Sequence, residues 1–260
     1  MSENIKFEIA DKVAKIILNR PEVYNSVNRE TALAVQQSLD ECGTNKDIRA
    51  VYIIGAGKAF CAGQDLAEVV EQKDNLPIEK IVAEHYNPIV RKIREIEKPV
   101  IAAVNGVAAG AGANLALACD VVIAAESAAF IQAFSKIGLI PDSGGTFFLP
   151  RLIGFQKASA LMMLGDKIAA VEAEKMGMIY KCLPDDRFLD ESWAVAVKLA
   201  SMPTKGLGLT KKLLNQSYSN DLNTQLTQED ETQAIAGKTH DHNEGVAAFL
   251  EKRKPEFKGE

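Results

Sequence analysis

Two glycine-rich stretches and one aspartate hold the residue types that could do chemistry. The first stretch is Phe60-Cys61-Ala62-Gly63-Gln64-Asp65-Leu66, and the second is Asn105-Gly106-Val107-Ala108-Ala109-Gly110-Ala111-Gly112-Ala113. Each follows an apolar strand pattern and leads towards a helical one. Small side chains there let backbone N–H groups approach a ligand closely. A helix N-terminus adds unsatisfied donors and a partial positive charge. Two such amides aimed at one point make an oxyanion hole, in which loss of one donor costs roughly 3–4 kcal/mol. The same composition also serves tight packing of helix on sheet, and either stretch alone is open to that reading. The second stretch is not a dinucleotide fingerprint, because Gly106, Gly110 and Gly112 do not make G-x-G-x-x-G, and it lacks the G-K-[ST] ending of a phosphate loop.

The aspartate is Asp142, in Pro141-Asp142-Ser143-Gly144-Gly145. It reads either as the cap of a helix starting at Ser143 or as a proton-transfer group. Ile137, Leu139, Ile140, Phe147 and Phe148 surround it in sequence. Burial among them would disfavour the charged carboxylate and raise its pKa towards neutrality. Other candidates are weaker. His85 stands beside Tyr86 on a helical stretch and reads as a surface or interface histidine, with a pocket-facing role as the sharper alternative. His240 and His242 have only Asp241 and Glu244 beside them, so no metal site is expected. Cys42, Cys61, Cys119 and Cys182 form no C-x-x-C pair and read as free, mostly buried thiols. Ser143 lacks the G-x-S-x-G setting of a hydrolase nucleophile. Trp193 reads as packing.

Elements must bring these residues together. Residues 5–10 and 13–19 predict a hairpin about Asp11-Lys12. Asn28 predicts the N-cap of a helix running to about Gly43. Residues 50–54, 100–104 and 121–125 are continuous apolar runs, the pattern of strands buried on both faces. Residues 55–66 read as a loop, 78–96 as a helix, and 67–80 as a segment that would shape any pocket. Strand and helix patterns alternate to about residue 150, which argues for an α/β chain. From Arg151 the pattern reads as almost wholly helical. Pro203 marks a boundary between a core, 1–202, and a C-terminal helical region, 203–260, whose basic tail is expected to be mobile in an isolated chain.

The chain of 260 residues is 47% hydrophobic and 25% charged, with a net charge of −5. That is a globular mixture and argues against a nucleic-acid binder. No secretory leader is read at the start, and no apolar run approaches the roughly 20 residues of a membrane span. A cytoplasmic location and no membrane partner are therefore expected.

The two glycine stretches, together with IGLIPDSGGTFFLPRLIG at 137–154, resemble the enoyl-CoA hydratase/isomerase (crotonase) superfamily. LNRPEVYNSVN (18–28), KPVIAAVNGVAAGAG and GMIYKCLP (177–184) extend the resemblance over essentially the whole chain. HYNPIVRKI (85–93), FIQAFSKIGLIPDSGGTFFLPR (130–151), PTKGLGLTKKLLN (203–215) and EGVAAFLEKRKPEFKG (244–259) are most similar to its ring 1,2-epoxyphenylacetyl-CoA isomerase branch in phenylacetate catabolism. The resemblance implies a right-handed spiral of β-β-α turns and a C-terminal helical region that mediates trimer contacts, with pairs of trimers forming hexamers. It implies no prosthetic group, with coenzyme A carried as part of an acyl-CoA thioester substrate. The backbone N–H groups of Gln64 and Ala111 would hold the thioester oxygen. Ala62, Gly63, Gln64, Asp65 and Leu66 would line the coenzyme A site, with Arg20 and Tyr24 near its phosphate or pantetheine part. Phe257 and Lys258 would contact coenzyme A, in some relatives from a neighbouring subunit. Asp65 itself reads as shaping its loop.

One departure decides the chemistry implied. Hydratases of the superfamily use two glutamates to activate water, and these fall here on Asn114 and Phe134. No carboxylate remains at either place for that task. The acid at Asp142 matches the position used by isomerase and dehalogenase branches. Asn114 reads as orienting the acyl group or a water, or as a buried amide in the core. The implied activity is acyl-CoA isomerisation with Asp142 as acid/base, converting 1,2-epoxyphenylacetyl-CoA to oxepin-CoA. Alternatives are a Δ3-Δ2 enoyl-CoA isomerase, an enoyl-CoA hydratase of fatty-acid oxidation, and a non-catalytic trimeric RNA-binding relative. An aryl-CoA dehalogenase would need a tryptophan where Ala133-Phe134 stands.

Overall fold

The computed structural model describes residues 2–71 and 77–260. The chain opens with β1 (Ile5–Ala10) and β2 (Val13–Leu18), antiparallel, joined at Asp11 and Lys12. Both turn residues have positive φ, 51° and 63°, the backbone of a tight hairpin whose twist suits its strands. Helix α1 (Arg29–Thr44) follows, and the Asn28 side chain accepts from the Thr31 N–H as its cap.

From there the chain winds in repeated turns. Each turn gives one strand to a large sheet, one short strand to a small sheet, and then helix. The first comprises β3 (Ala50–Gly55), β4 (Ala59–Cys61), α2 (Leu66–Glu71), α3 (Ile78–Lys80), a π-helical turn over Ile81–Tyr86, and α4 (Asn87–Glu95). The second comprises β5 (Val100–Val104), β6 (Val107–Ala109) and α5 (Ala111–Leu117). The third comprises β7 (Val121–Ala125), β8 (Ala129–Ile131), a 3-10 turn over Ala133–Ile137, α6 (Gly145–Ile153) and α7 (Phe155–Leu164). Then come β9 (Lys167–Ala169), α8 (Ala170–Lys175), β10 (Lys181–Leu183) and α9 (Asp185–Ala200). The helices α10 (Thr204–Ser217), α11 (Leu222–Ala236) and α12 (His240–Glu251) end the chain.

The large sheet has the order β1-β2-β3-β5-β7-β10, and the small one β4-β6-β8-β9. Every pair beyond β1–β2 in the large sheet is parallel, as are β4–β6 and β6–β8 in the small one. This is the spiral of β-β-α turns that the resemblance implies. All residues of β3 and β5 are buried, so their apolar runs mark strands covered on both faces. α9 covers the sheet, with Trp193 edge-on to Tyr52 at 5.3 Å. Trp193 packs, as its sequence setting indicates.

Several sequence expectations need correction. The loop at 55–66 contains β4, and the glycine stretch at 105–113 contains β6. Three-residue strands are too short to show a period, and only their parallel partners define them. Likewise β9 and β10 lie in the region read as almost wholly helical. The helix at 78–96 is present but widens into a π-turn. Part of the segment 67–80 falls on residues 72–76, outside the described residues. The basic tail is pinned: the Asp241 carboxylate accepts from the Lys258 and Gly259 N–H groups at 2.7 Å each, and Arg49 donates to the Phe257 carbonyl at 2.8 Å. Backbone donors that meet a buried carboxylate cannot be read from a string of basic residues. No helix among the described residues is long and apolar enough to cross a membrane.

The topology also sets the place of a site. β4, β6 and β8 are parallel neighbours, so the segments that follow them leave from the same edge. These carry Gln64, Ala111 and Asp142 in turn. Ligands of parallel sheets sit beyond the carboxyl ends of the strands.

Candidate active site

Beyond those strand ends lies a cavity of about 240 Å³. Gly63, Gln64, Ala111 and Asp142 line it, with Tyr86 and Phe134 as aromatic walls. Three turns of the spiral thus deliver residues far apart in sequence to one space.

The first glycine stretch is held by Val27. Its N–H donates to the Gly63 carbonyl at 2.7 Å, and its carbonyl accepts from the Asp65 N–H at 3.0 Å. A trans peptide points its N–H opposite its carbonyl. With the Gly63 carbonyl turned to Val27, the Gln64 N–H is turned away from it, towards the cavity. In the second stretch, Ala111 is the first residue of α5, and the preceding Gly110 carbonyl accepts from Asn114 within the helix. The Ala111 N–H therefore points out of the helix start. Among the described residues, neither the Gln64 nor the Ala111 N–H donates to a protein acceptor. The two stretches touch: a Cβ on Gly63, whose φ is +90°, would stand 3.4 Å from the Ala111 nitrogen and 2.9 Å from the Ala109 carbonyl oxygen. Two free donors side by side at a helix start can hold a carbonyl oxygen and the negative charge that develops on it.

Asp142 faces the same cavity. Its carboxyl accepts one hydrogen bond, from the Ser143 hydroxyl at 2.8 Å. Burial pushes its pKa up from the ordinary 3.8, and the Ser143 hydroxyl opposes that rise. The capping alternative does not hold. α6 begins at Gly145, no side chain caps it, and Gly145 donates instead to the Asp142 carbonyl at 2.8 Å. Nor do all the sequence neighbours surround the acid. Ile137 and Leu139 line the cavity, whereas Ile140 is 82% exposed and Phe147 packs on Arg151 and Tyr218. Much of the apolar wall comes from Tyr86, Ile81 and Val82, two turns of the spiral earlier.

The remaining predicted residues take supporting places. Asn114 is fully buried, and its amide donates to the Asp142 carbonyl at 2.9 Å while accepting from Gln132 at 2.8 Å. It grips the backbone of the acid from below the cavity. Ala62 and Leu66 line the cavity. Asp65 turns aside to pair with Arg20 at 2.8 Å, and the same Arg20 nitrogen donates to the Ser26 carbonyl. Tyr24 gives its carbonyl to the Ala62 N–H at 3.0 Å. Arg20, Tyr24 and Asp65 thus brace the first stretch. Phe257 and Lys258 are not brought to the cavity of their own chain; they lie with Arg49 and Asp241.

Sequence reasoning understated Tyr86 and Asn25. Tyr86, only 1% exposed, donates its hydroxyl to the Gln64 side chain at 3.0 Å. Its phase with Ile89 and Ile93 marks it as inward-facing, but nothing in the sequence names its partner. Asn25 is buried at positive φ, and its amide donates to the carbonyls of Ala56 and Ala59. His85, read as a surface or interface residue, is instead fully buried, and among the described residues neither ring nitrogen has a hydrogen-bond partner. The π-turn adds a residue to the helix there, so that adjacent positions 85 and 86 both face inward.

Comparison with known proteins agrees with this architecture. Residues 8–260 match the family described as Enoyl-CoA hydratase/isomerase. The chain is 46% identical over 261 residues to the 1,2-epoxyphenylacetyl-CoA isomerase of Escherichia coli K12, covering 100% of both. It is 35% identical over 248 residues to the 2,3-dehydroadipyl-CoA hydratase of the same strain, covering 95% of this chain and 96% of that one. An enoyl-CoA hydratase structure from Bacillus anthracis superposes with a TM-score of 0.92 at 36% identity, covering 99% of this chain and 100% of that one. With its spiral of β-β-α turns and match over almost its whole length, the chain belongs to the enoyl-CoA hydratase/isomerase family.

Proposed function

We propose that the protein is an acyl-CoA isomerase acting on 1,2-epoxyphenylacetyl-CoA, with the Gln64 and Ala111 N–H groups as its oxyanion hole and Asp142 as its acid/base. The observation that carries this reading is Asp142: it is the carboxylic acid on the wall of a largely apolar cavity that also holds two free N–H donors. Asn114 and Phe134, where hydratases of the superfamily carry glutamates, offer no second acid to activate water. The similarity to the E. coli isomerase points to the same substrate class.

In this reading the thioester oxygen sits between the two N–H groups. Asp142 takes a proton from the carbon next to the thioester, and the electron pair spreads onto the held oxygen. In the ring epoxide, the bond between the two oxygen-bearing carbons opens and both C–O bonds persist, giving the seven-membered oxepin. Asp142 then returns the proton to a ring carbon. Nothing is gained or lost, and no prosthetic group or metal is needed; coenzyme A serves as the substrate's handle. A 3-enoyl-CoA would shift its double bond by the same proton transfer.

The C-terminal helices support a further part of the proposal. Val246, Phe249 and Leu250 are 47%, 83% and 74% exposed and line one groove with Phe257. Contiguous apolar surface of this kind marks an interface, and we assign it to further copies of the chain in a trimer or a pair of trimers. Phe257 and Lys258 could then reach coenzyme A only across such an interface.

Mass-spectrometric product analysis with epoxyphenylacetyl-CoA beside a 3-enoyl-CoA and a 2-enoyl-CoA tests the reaction. The expected products have unchanged mass, and turnover of the epoxide is fastest. Addition of one water to the 2-enoyl thioester at a comparable rate would overturn the isomerase reading.

A further inference from the structure

Gln64 offers its backbone N–H to the cavity, while its side chain is held in a relay of hydrogen bonds. The amide oxygen accepts from the Tyr86 hydroxyl at 3.0 Å, and the amide nitrogen donates to the Glu68 carboxylate at 3.1 Å. Glu68 also accepts from the Arg29 N–H at the start of α1, at 2.9 Å. The relay therefore ties the π-turn, the loop after β4, α2 and α1 to one side chain. Its direction is fixed by chemistry. A carboxylate can only accept, so the amide must turn its nitrogen to Glu68 and its oxygen to Tyr86. On its backbone side the loop is held by Val27, with Gly63 in the left-handed region at φ +90°.

We infer that Tyr86 is a positioning residue for the thioester-holding donor: through the Gln64 side chain it keeps the Gln64 N–H aimed into the cavity. The inference rests on the oxyanion-hole reading above. A buried tyrosine hydroxyl needs a partner in any case. What singles this one out is that its partner is the residue bearing one of the two free N–H donors, while Tyr86 itself lines the cavity. Burial, with Asp142, Glu68 and Asp65 nearby, pushes the phenol well above its ordinary value, so it remains a donor at neutral pH.

The test isolates proton abstraction. Phenylacetyl-CoA has the acidic carbon but no epoxide, so its enolate can only be reprotonated. Exchange of its α-protons in deuterated buffer, followed by NMR, reads the oxyanion hole and Asp142 together. Tyr86→Phe is expected to slow exchange about 10-fold, a fraction of the roughly 10²–10³-fold lost when a hole donor is removed outright, with the Kd for phenylacetyl-CoA changed less than about two-fold. Gln64→Leu should slow it similarly, and the double variant no further, because both act through one contact. Glu68→Ala loosens the same relay from its half-buried end and should slow exchange even if Tyr86→Phe folds poorly. Wild-type exchange in folded Tyr86→Phe, or additive losses in the double variant, would overturn the role of Tyr86 alone. Absence of exchange in the unaltered protein would overturn the oxyanion-hole reading, and this inference with it.

Discussion

Asp142 combines two properties that oppose each other. Its burial makes it a better base near neutrality, and the same burial strains the fold. Because its folded pKa is raised, the native state keeps this proton above pH 3.8, where the unfolded chain has lost it. The associated stability is full at low pH and is lost as pH rises through the raised value. Asp142→Asn cannot ionise, so it should melt at a higher temperature than the wild type at neutral pH while isomerisation falls about 10²–10⁴-fold. A thermal melt and a rate on the same sample check both. The acid limb of kcat/KM should also lie at higher pH than an ordinary carboxylate gives, and a limb near 3.8 would count against Asp142 as the base. The type and position of this acid were legible in the sequence, as were the two glycine stretches. The partners were not: Asn114 under the Asp142 carbonyl and Tyr86 against Gln64 are contacts across 28 and 22 residues, which no local spacing encodes.

At the scale of elements, the short strands β4, β6 and β8 matter more than the long ones, because the segments that leave their ends carry the site residues. Their spacing is set by close packing. A Cβ on Gly112 would lie 2.3 Å from the Cys61 carbonyl oxygen and 2.7 Å from its sulfur. Gly112→Ala must therefore push α5 away from β4 and move the Ala111 N–H with it. Overpacking of this kind costs about 1–3 kcal/mol, so a lowered Tm accompanied by a disproportionate loss of kcat is expected. A lowered Tm with kcat intact would show that α5 moves without disturbing the donor. Long apolar strands and the capped helix α1 were legible because each repeats its pattern over five or more residues. The three-residue strands were not, since each exists only through a neighbour's hydrogen bonds, and neither was the π-turn, a one-residue widening of the helix.

For the whole molecule, the C-terminal helices are joined to the spiral through charge as well as apolar contact. The Asp120 carboxylate meets Lys211 of α10 at 2.7 Å and Arg94 at 2.9 Å, and accepts from the Val100 N–H. Lys211 is buried, and burial lowers its pKa while Asp120 opposes that fall. Asp120→Ala leaves the buried ammonium without its counter-charge, a loss of about 3–5 kcal/mol. Urea unfolding should show it as a large fall in midpoint. The outer face of the same helices tests the proposed assembly. Phe249→Asp with Leu250→Lys should reduce the sedimenting species to a monomer, whereas an unaltered protein that already sediments as a monomer would refute the trimer.

The family resemblance implied the spiral and the absence of a glutamate pair; the amino-acid sequence by itself determined an α/β chain, the two glycine stretches and the acid at Asp142. These are properties of residue type and short-range spacing, which local sterics and hydrophobic periodicity express directly. Only the tertiary structure decided that the stretches stand side by side, that Asp142 is a cavity acid and no cap, and that the tail is pinned. The reason is physical. Parallel strands contributed by successive turns of a spiral bring together Gln64, Ala111 and Asp142, residues far apart in sequence, and burial, which sets the acid's pKa and the order of the tail, is a property of everything that surrounds a residue in space.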